Sequence, residues 1–124
     1  MTQPLALVLY EKLLPGSQVV NRLQDLNYRV QAIADPRTLT QFAETTQPIL
    51  VLADLKSSQH DVCAELARLK QHPATRHVPV IAFCADEAWE LRAAAEAAEV
   101  TLVVNETAIL THLTQFLERA LQVE

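Results

Sequence analysis

The sequence predicts an α/β domain: a five-stranded parallel sheet with helices on both faces. Two observations predict it. Apolar runs of strand length cover residues 5–9, 49–53, 79–83 and 100–104, and an alternating stretch covers 28–33. Each intervening segment exceeds the roughly dozen residues a parallel crossover needs. A third observation marks the middle run, Pro48-Ile49-Leu50-Val51-Leu52-Ala53-Asp54, which ends in a lone carboxylate. It reads as a strand buried on both faces, with its acid where open α/β sheets place ligands.

The elements follow in order. Residues 5–9 form the first strand and end at Tyr10-Glu11. Pro15-Gly16 reads as a breaker and Ser17 as an N-cap. Val19, Val20, Leu23 and Leu26 then lie on one helical face, and Asn27 is a stop signal. Residues 28–33 alternate and predict a strand at or near an edge. Asp35 caps a turn that opens with Pro36, and a short helix through Leu39, Phe42 and Ala43 ends near Thr46.

After the middle strand comes the polar loop Lys56-Ser57-Ser58-Gln59-His60. Asp61 caps a helix with Val62, Leu66 and Leu69 on its face, closed by His72-Pro73. Residues 79–83 form the fourth strand, ending at Cys84-Ala85-Asp86. Residues 87–98 are alanine-rich and helix-prone, with few large side chains to pack; Trp89 is expected on the sheet edge. The fifth strand, 100–104, ends at Asn105-Glu106. One last helix from Thr107 carries a broad stripe of Ile109, Leu110, Leu113, Phe116, Leu117, Ala120 and Leu121. That stripe suits either the sheet or a homodimer surface.

Composition excludes several functions. At 124 residues the chain is expected to be one domain without an output domain. A net charge of −5 argues against nucleic acid and anionic membranes, which need clustered Lys and Arg. No run approaches the roughly 18 apolar residues of a membrane span, and Met1-Thr2-Gln3-Pro4 lacks a basic leader, so a cytoplasmic location is expected. Cys63 and Cys84 have apolar neighbours and read as buried thiols. A single glycine, Gly16, rules out a Walker loop or a dinucleotide fingerprint. His60, His72, His77 and His112 show no metal-ligand spacing. No nucleophile–base pair suggests a hydrolase or transferase.

The segment Leu69-Lys70-Gln71-His72-Pro73-Ala74-Thr75-Arg76-His77-Val78-Pro79-Val80-Ile81-Ala82-Phe83 resembles the helix end, Pro-x-Thr and Ile/Val-Pro-Val-Ile run of receiver domains in two-component response regulators. The likeness to these CheY-like, flavodoxin-like (βα)5 domains extends over the whole chain. It implies that Asp54 stands at the phosphoacceptor position. It implies that Glu11, Asp54 and the Lys56 backbone carbonyl stand where Mg²⁺ would be held. It places Cys84 at the Ser/Thr signalling position, Leu102 at the aromatic switch and Asn105 at the lysine.

The departures matter. An acidic pair has become Tyr10-Glu11, a hydroxyl has become a thiol, and a fixed cation has become a neutral amide. Losing one preorganised charge from a phosphoryl site typically costs about 2.7–4 kcal/mol. Lys12 or Lys56 would have to replace the cation. The expected function is that of a pseudo-receiver in phosphorelay signalling, without a cofactor or with weakly held Mg²⁺. Its partner would be a histidine kinase or another regulator. The alternative is a working Mg²⁺-dependent phosphoacceptor, with any residual autophosphorylation falling on Asp54.

Overall fold

In the computed structural model, described over residues 4–11, 13–57 and 61–121, the five runs pair into one parallel sheet. The strands are β1 (Leu5–Leu9), β2 (Arg29–Ile33), β3 (Leu50–Asp54), β4 (Val80–Cys84) and β5 (Leu102–Asn105). Their spatial order is β2-β1-β3-β4-β5. The helices are α1 (Leu13–Asp25), α2 (Leu39–Thr46), α3 (Val62–Gln71), α4 (Trp89–Ala97), α5 (Ala108–Thr111) and α6 (Leu113–Leu121).

Every residue of β3 and β4 is buried, because helices cover both faces. Alternate side chains go to opposite sides. Leu7, Leu9, Val51, Ala53, Val80 and Ala82 pack with Leu39 of α2, Leu66 of α3 and Ala95 of α4. Ala6, Val8, Leu50, Leu52, Ile81 and Phe83 pack with Val19 and Leu23 of α1, Ile109 of α5 and Leu113 of α6. The alternating strand β2 lies at the edge, as its pattern predicts.

Several local expectations change. Pro15-Gly16 does not break the chain, and Ser17 is not a cap: α1 already runs from Leu13. A proline in the first turn loses only an N–H that would have no helical partner. The last helix is two pieces, interrupted where His112 leaves helical geometry at φ −119°, ψ 26°. Its stripe faces the sheet: Ile109, Leu113, Leu117 and Ala120 are buried, and Leu110, Phe116 and Leu121 pack beside them. Trp89 is 69% exposed and does not cover the sheet edge. Strand ends shift by one or two residues, so that β3 includes Asp54 and β4 includes Cys84.

With one glycine in the chain, three helices close on other residues in left-handed geometry. These are Asn27 (φ 71°), Gln47 (φ 51°) and Glu99 (φ 68°), each carrying a strain of roughly 1–2 kcal/mol, least for Asn. The Asp35 cap is present: its carboxylate accepts the Arg37 N–H at 2.9 Å and opens a 3₁₀ turn at Pro36–Thr38. Asp61 caps α3 by accepting the Ala64 N–H at 3.1 Å.

The Pro73-Ala74-Thr75 motif has a structural role. Thr75 is fully buried, and its hydroxyl donates to the Leu69 carbonyl at 2.7 Å. That carbonyl lies in the last turn of α3. The Thr75 N–H donates to the His72 carbonyl and its own carbonyl accepts from Val78 N–H, both at 3.0 Å. One residue thus ties the end of α3, through its side chain, to the backbone that leads into β4. Thr75→Val keeps the shape but removes the donor. It should lower unfolding free energy by about 1–3 kcal/mol in urea titrations, while Thr75→Ser should keep most of the bond.

Candidate functional site

The sheet order reverses between β1 and β3, and the ends of these strands form the crevice where such sheets take ligands. Asp54 ends β3 and is 1% exposed. Its Oδ1 accepts the Lys56 backbone N–H at 3.0 Å. Glu11, just after β1, accepts the Ser57 hydroxyl on Oε2 at 2.7 Å. Both acids are therefore bound to the loop that follows β3. Glu11, Asp54, Lys56 and Ser57 line one cleft with Tyr10, and its free volume is about 10 Å³. That is room for about one water molecule.

Tyr10 helps to close the cleft. Its ring packs against the core beneath α1 and lies on Gly16, which is buried. A Cβ at position 16 would overlap the tyrosine Cγ and Cδ2. Close approach, not a special φ angle, thus requires the chain's one glycine. Gly16→Ala should displace Tyr10 and cost about 1–3 kcal/mol of stability, read as an altered Tyr10 ring spectrum in NMR together with a lower denaturation midpoint.

The other two strand ends lie side by side, with Cys84 opposite Asn105 in the β4–β5 register. Asn105 does not aim at the Asp54 cleft. Its side-chain oxygen accepts the Thr107 N–H at 2.7 Å and the Ala108 N–H at 3.3 Å, and also the Thr107 hydroxyl. Asn105 thus braces the turn that leads into α5. Leu102 is half-buried against the core under α6. Lys56 is exposed and lines both the Asp54 cleft and a cavity of about 240 Å³ beside Cys84, Glu87, Leu91 and Glu106. Lys12, Ser58, Gln59 and His60 lie outside the described residues.

The sequence thus brings together Glu11, Asp54 and Lys56, while Cys84, Leu102 and Asn105 serve other contacts. Two features escaped the sequence reading: the Tyr10–Gly16 packing and the Ser57–Glu11 bond. The Asn105 turn had a sequence signal in Asn105-Glu106-Thr107 ahead of an apolar helix. Two carboxylates and a carbonyl are oxygen donors of the kind Mg²⁺ takes, an ion that completes its shell with several waters. Among the described residues no three His, Cys, Asp or Glu side chains cluster as a metal site. His72 is half-buried, with Nδ1 accepting the Ala74 N–H at 3.1 Å, and His77 and His112 are exposed.

No protein-family model and no curated protein matches the chain. Solved structures do. The receiver domain of a sensor histidine kinase from Pseudomonas aeruginosa, with magnesium coordinated in its active-site cleft, superposes with a TM-score of 0.87 at 20% identity, covering 98% of this chain and 100% of that one. The chemotaxis protein CheY4 of Vibrio cholerae gives 0.83 at 16%, covering 96% and 99%. The signal receiver domain of a diguanylate cyclase from Desulfovibrio desulfuricans gives 0.80 at 19%, covering 97% and 94%. At these identities the likeness is one of architecture. The chain has the fold of response-regulator receiver domains.

Both thiols are buried. Burial raises the Cys63 pKa from 9.0 to about 11, with smaller contributions from Asp61 and Cys84. Burial likewise raises Cys84, with Arg92 opposing. Native protein should react slowly with a thiol reagent at neutral pH, and denatured protein quickly. Because folding raises the Cys63 pKa, the stability it adds is complete below pH 9 and disappears as pH climbs towards 11. Denaturation midpoints measured across that window should fall less steeply in Cys63→Ala than in the parent.

Proposed function

We propose that this chain is a receiver-like module of two-component signalling that acts by protein–protein contact, without a phosphorylation switch at Asp54. One observation carries the reading: the charge that the described residues bring to the cleft over Asp54. Glu11 and Asp54 face the cleft, Asn105 supplies no cation, and Lys56 is exposed. A buried thiol with a raised pKa at position 84 is a weak donor to any phosphoryl oxygen.

The partner would be a histidine kinase or another regulator, met in the cytoplasm. Trp89 is a candidate anchor, since exposed aromatic side chains commonly dominate contact energies. The apolar stripe of α5 and α6 is occupied by the sheet, which favours other faces over a homodimer through the last helix. No described helix is long and apolar enough to cross a membrane.

A second reading, a working phosphoacceptor, draws on the convergence of Glu11, Asp54 and Lys56 on one cleft. In it Mg²⁺ would bind weakly to both carboxylates and the Lys56 carbonyl, after the loop from β3 opens. Acetyl phosphate with Mg²⁺, followed by intact-mass analysis, separates the two. The expected result is no phosphoryl adduct and no beryllofluoride-induced shift in the NMR spectrum. An adduct that forms readily and vanishes in Asp54→Asn would establish the second reading instead.

A further inference from the structure

A much larger cavity lies at the opposite end of the sheet. Ile49 precedes β3, Pro79 precedes β4 and Thr101 precedes β5, so it opens at the N-terminal edge of the strands. Its volume is about 540 Å³, within the size range of small-molecule sites. Lys70, Arg76, His77 and Thr101 are its polar lining residues; Ile49 and Leu121 are among its apolar ones.

The charge is unexpected for this chain. Acidic residues outnumber Lys and Arg by 15 to 10, yet no carboxylate is among the described residues lining the cavity. Lys70 donates one ammonium hydrogen to the Val78 carbonyl at 3.0 Å and retains two. Burial lowers the Lys70 pKa, while Glu99, outside the lining, acts from a distance to raise it. Arg76 is exposed and makes no ion pair among the described residues. The Thr101 hydroxyl oxygen accepts the Val80 N–H at 3.0 Å, which leaves its own hydrogen to donate. Ile49, at 41% exposure, leaves an apolar surface open at the rim.

We propose that this cavity binds a small organic anion, with one carboxylate or phosphate head group on a compact apolar body. The head group lies against Lys70, Arg76 and the Thr101 hydroxyl. The body covers Ile49 and Leu121. An anion there replaces the hydration that burial removes from Lys70 and gives Arg76 a partner. The site is separate from the Asp54 cleft and does not depend on phosphorylation.

The test is an NMR titration of ¹⁵N-labelled protein with hexanoate, phenyl phosphate, inorganic phosphate and hexylammonium. Hexanoate or phenyl phosphate should give saturable shifts confined to Ile49, Arg76, His77, Thr101 and their neighbours. Inorganic phosphate should bind more weakly than phenyl phosphate, and hexylammonium should leave these signals unmoved. Arg76→Gln, an exposed substitution, should weaken binding about tenfold or more without changing the rest of the spectrum. Lys70→Gln should weaken it too, but it also releases the Val78 carbonyl, so Arg76 decides. Asp54→Asn should leave the titration unchanged. Unsaturable shifts, equal response to hexylammonium, or full binding by Arg76→Gln would overturn the assignment. Equal binding of inorganic and phenyl phosphate would remove the apolar body from it.

Discussion

The burial of β3 and β4 on both faces is the constraint from which the rest follows. Strands without a solvent side must be apolar throughout, and helices must cover both surfaces. Polar chemistry can then appear only where the strands end. Asp54 and Cys84 are the last residues of such strands, and each is still 1% exposed. The sheet therefore fixes the positions of candidate functional groups and also limits their access to water.

The same constraint leaves the strand ends open to varied polar side chains. The two apolar cores hold the sheet together, with Cys84 part of one and Tyr10 packed against the other. A tyrosine, a thiol and an asparagine can therefore stand at these positions, each with a local contact of its own. Tyr10 packs on Gly16 while lining the Asp54 cleft, Cys84 is buried under α4, and Asn105 braces the turn into α5. Pro73-Ala74-Thr75 has a purely structural place, closing α3 through the Thr75 hydroxyl.

Much of this was legible in the sequence. Four apolar runs and one alternating run marked five strands, and the edge position of β2 followed from its exposed residues. Caps at Asp35 and Asp61 were readable because side-chain acceptors before a helix have few other uses. The start of α1 was not, since a proline means either a break or a first turn. The interruption at His112 left no mark, because the apolar spacing continues across it. Trp89 was misplaced because its size suggests burial among the small side chains of α4, whereas the ring stands in solvent. Asp54, Glu11 and Lys56 could be placed by counting strand ends; the volume between them could not, because it depends on how a ring and a helix turn meet.

The contact between Tyr10 and Gly16 couples two positions of the chain. The phenol ring fits because position 16 has no side chain, and the bare helix turn is covered because position 10 carries a ring. Removing the ring at position 10 would uncover that turn, and adding a methyl group at position 16 would evict the ring. The two positions form a latch: either change alone meets a penalty, so a side chain at one can be exchanged freely only together with the other.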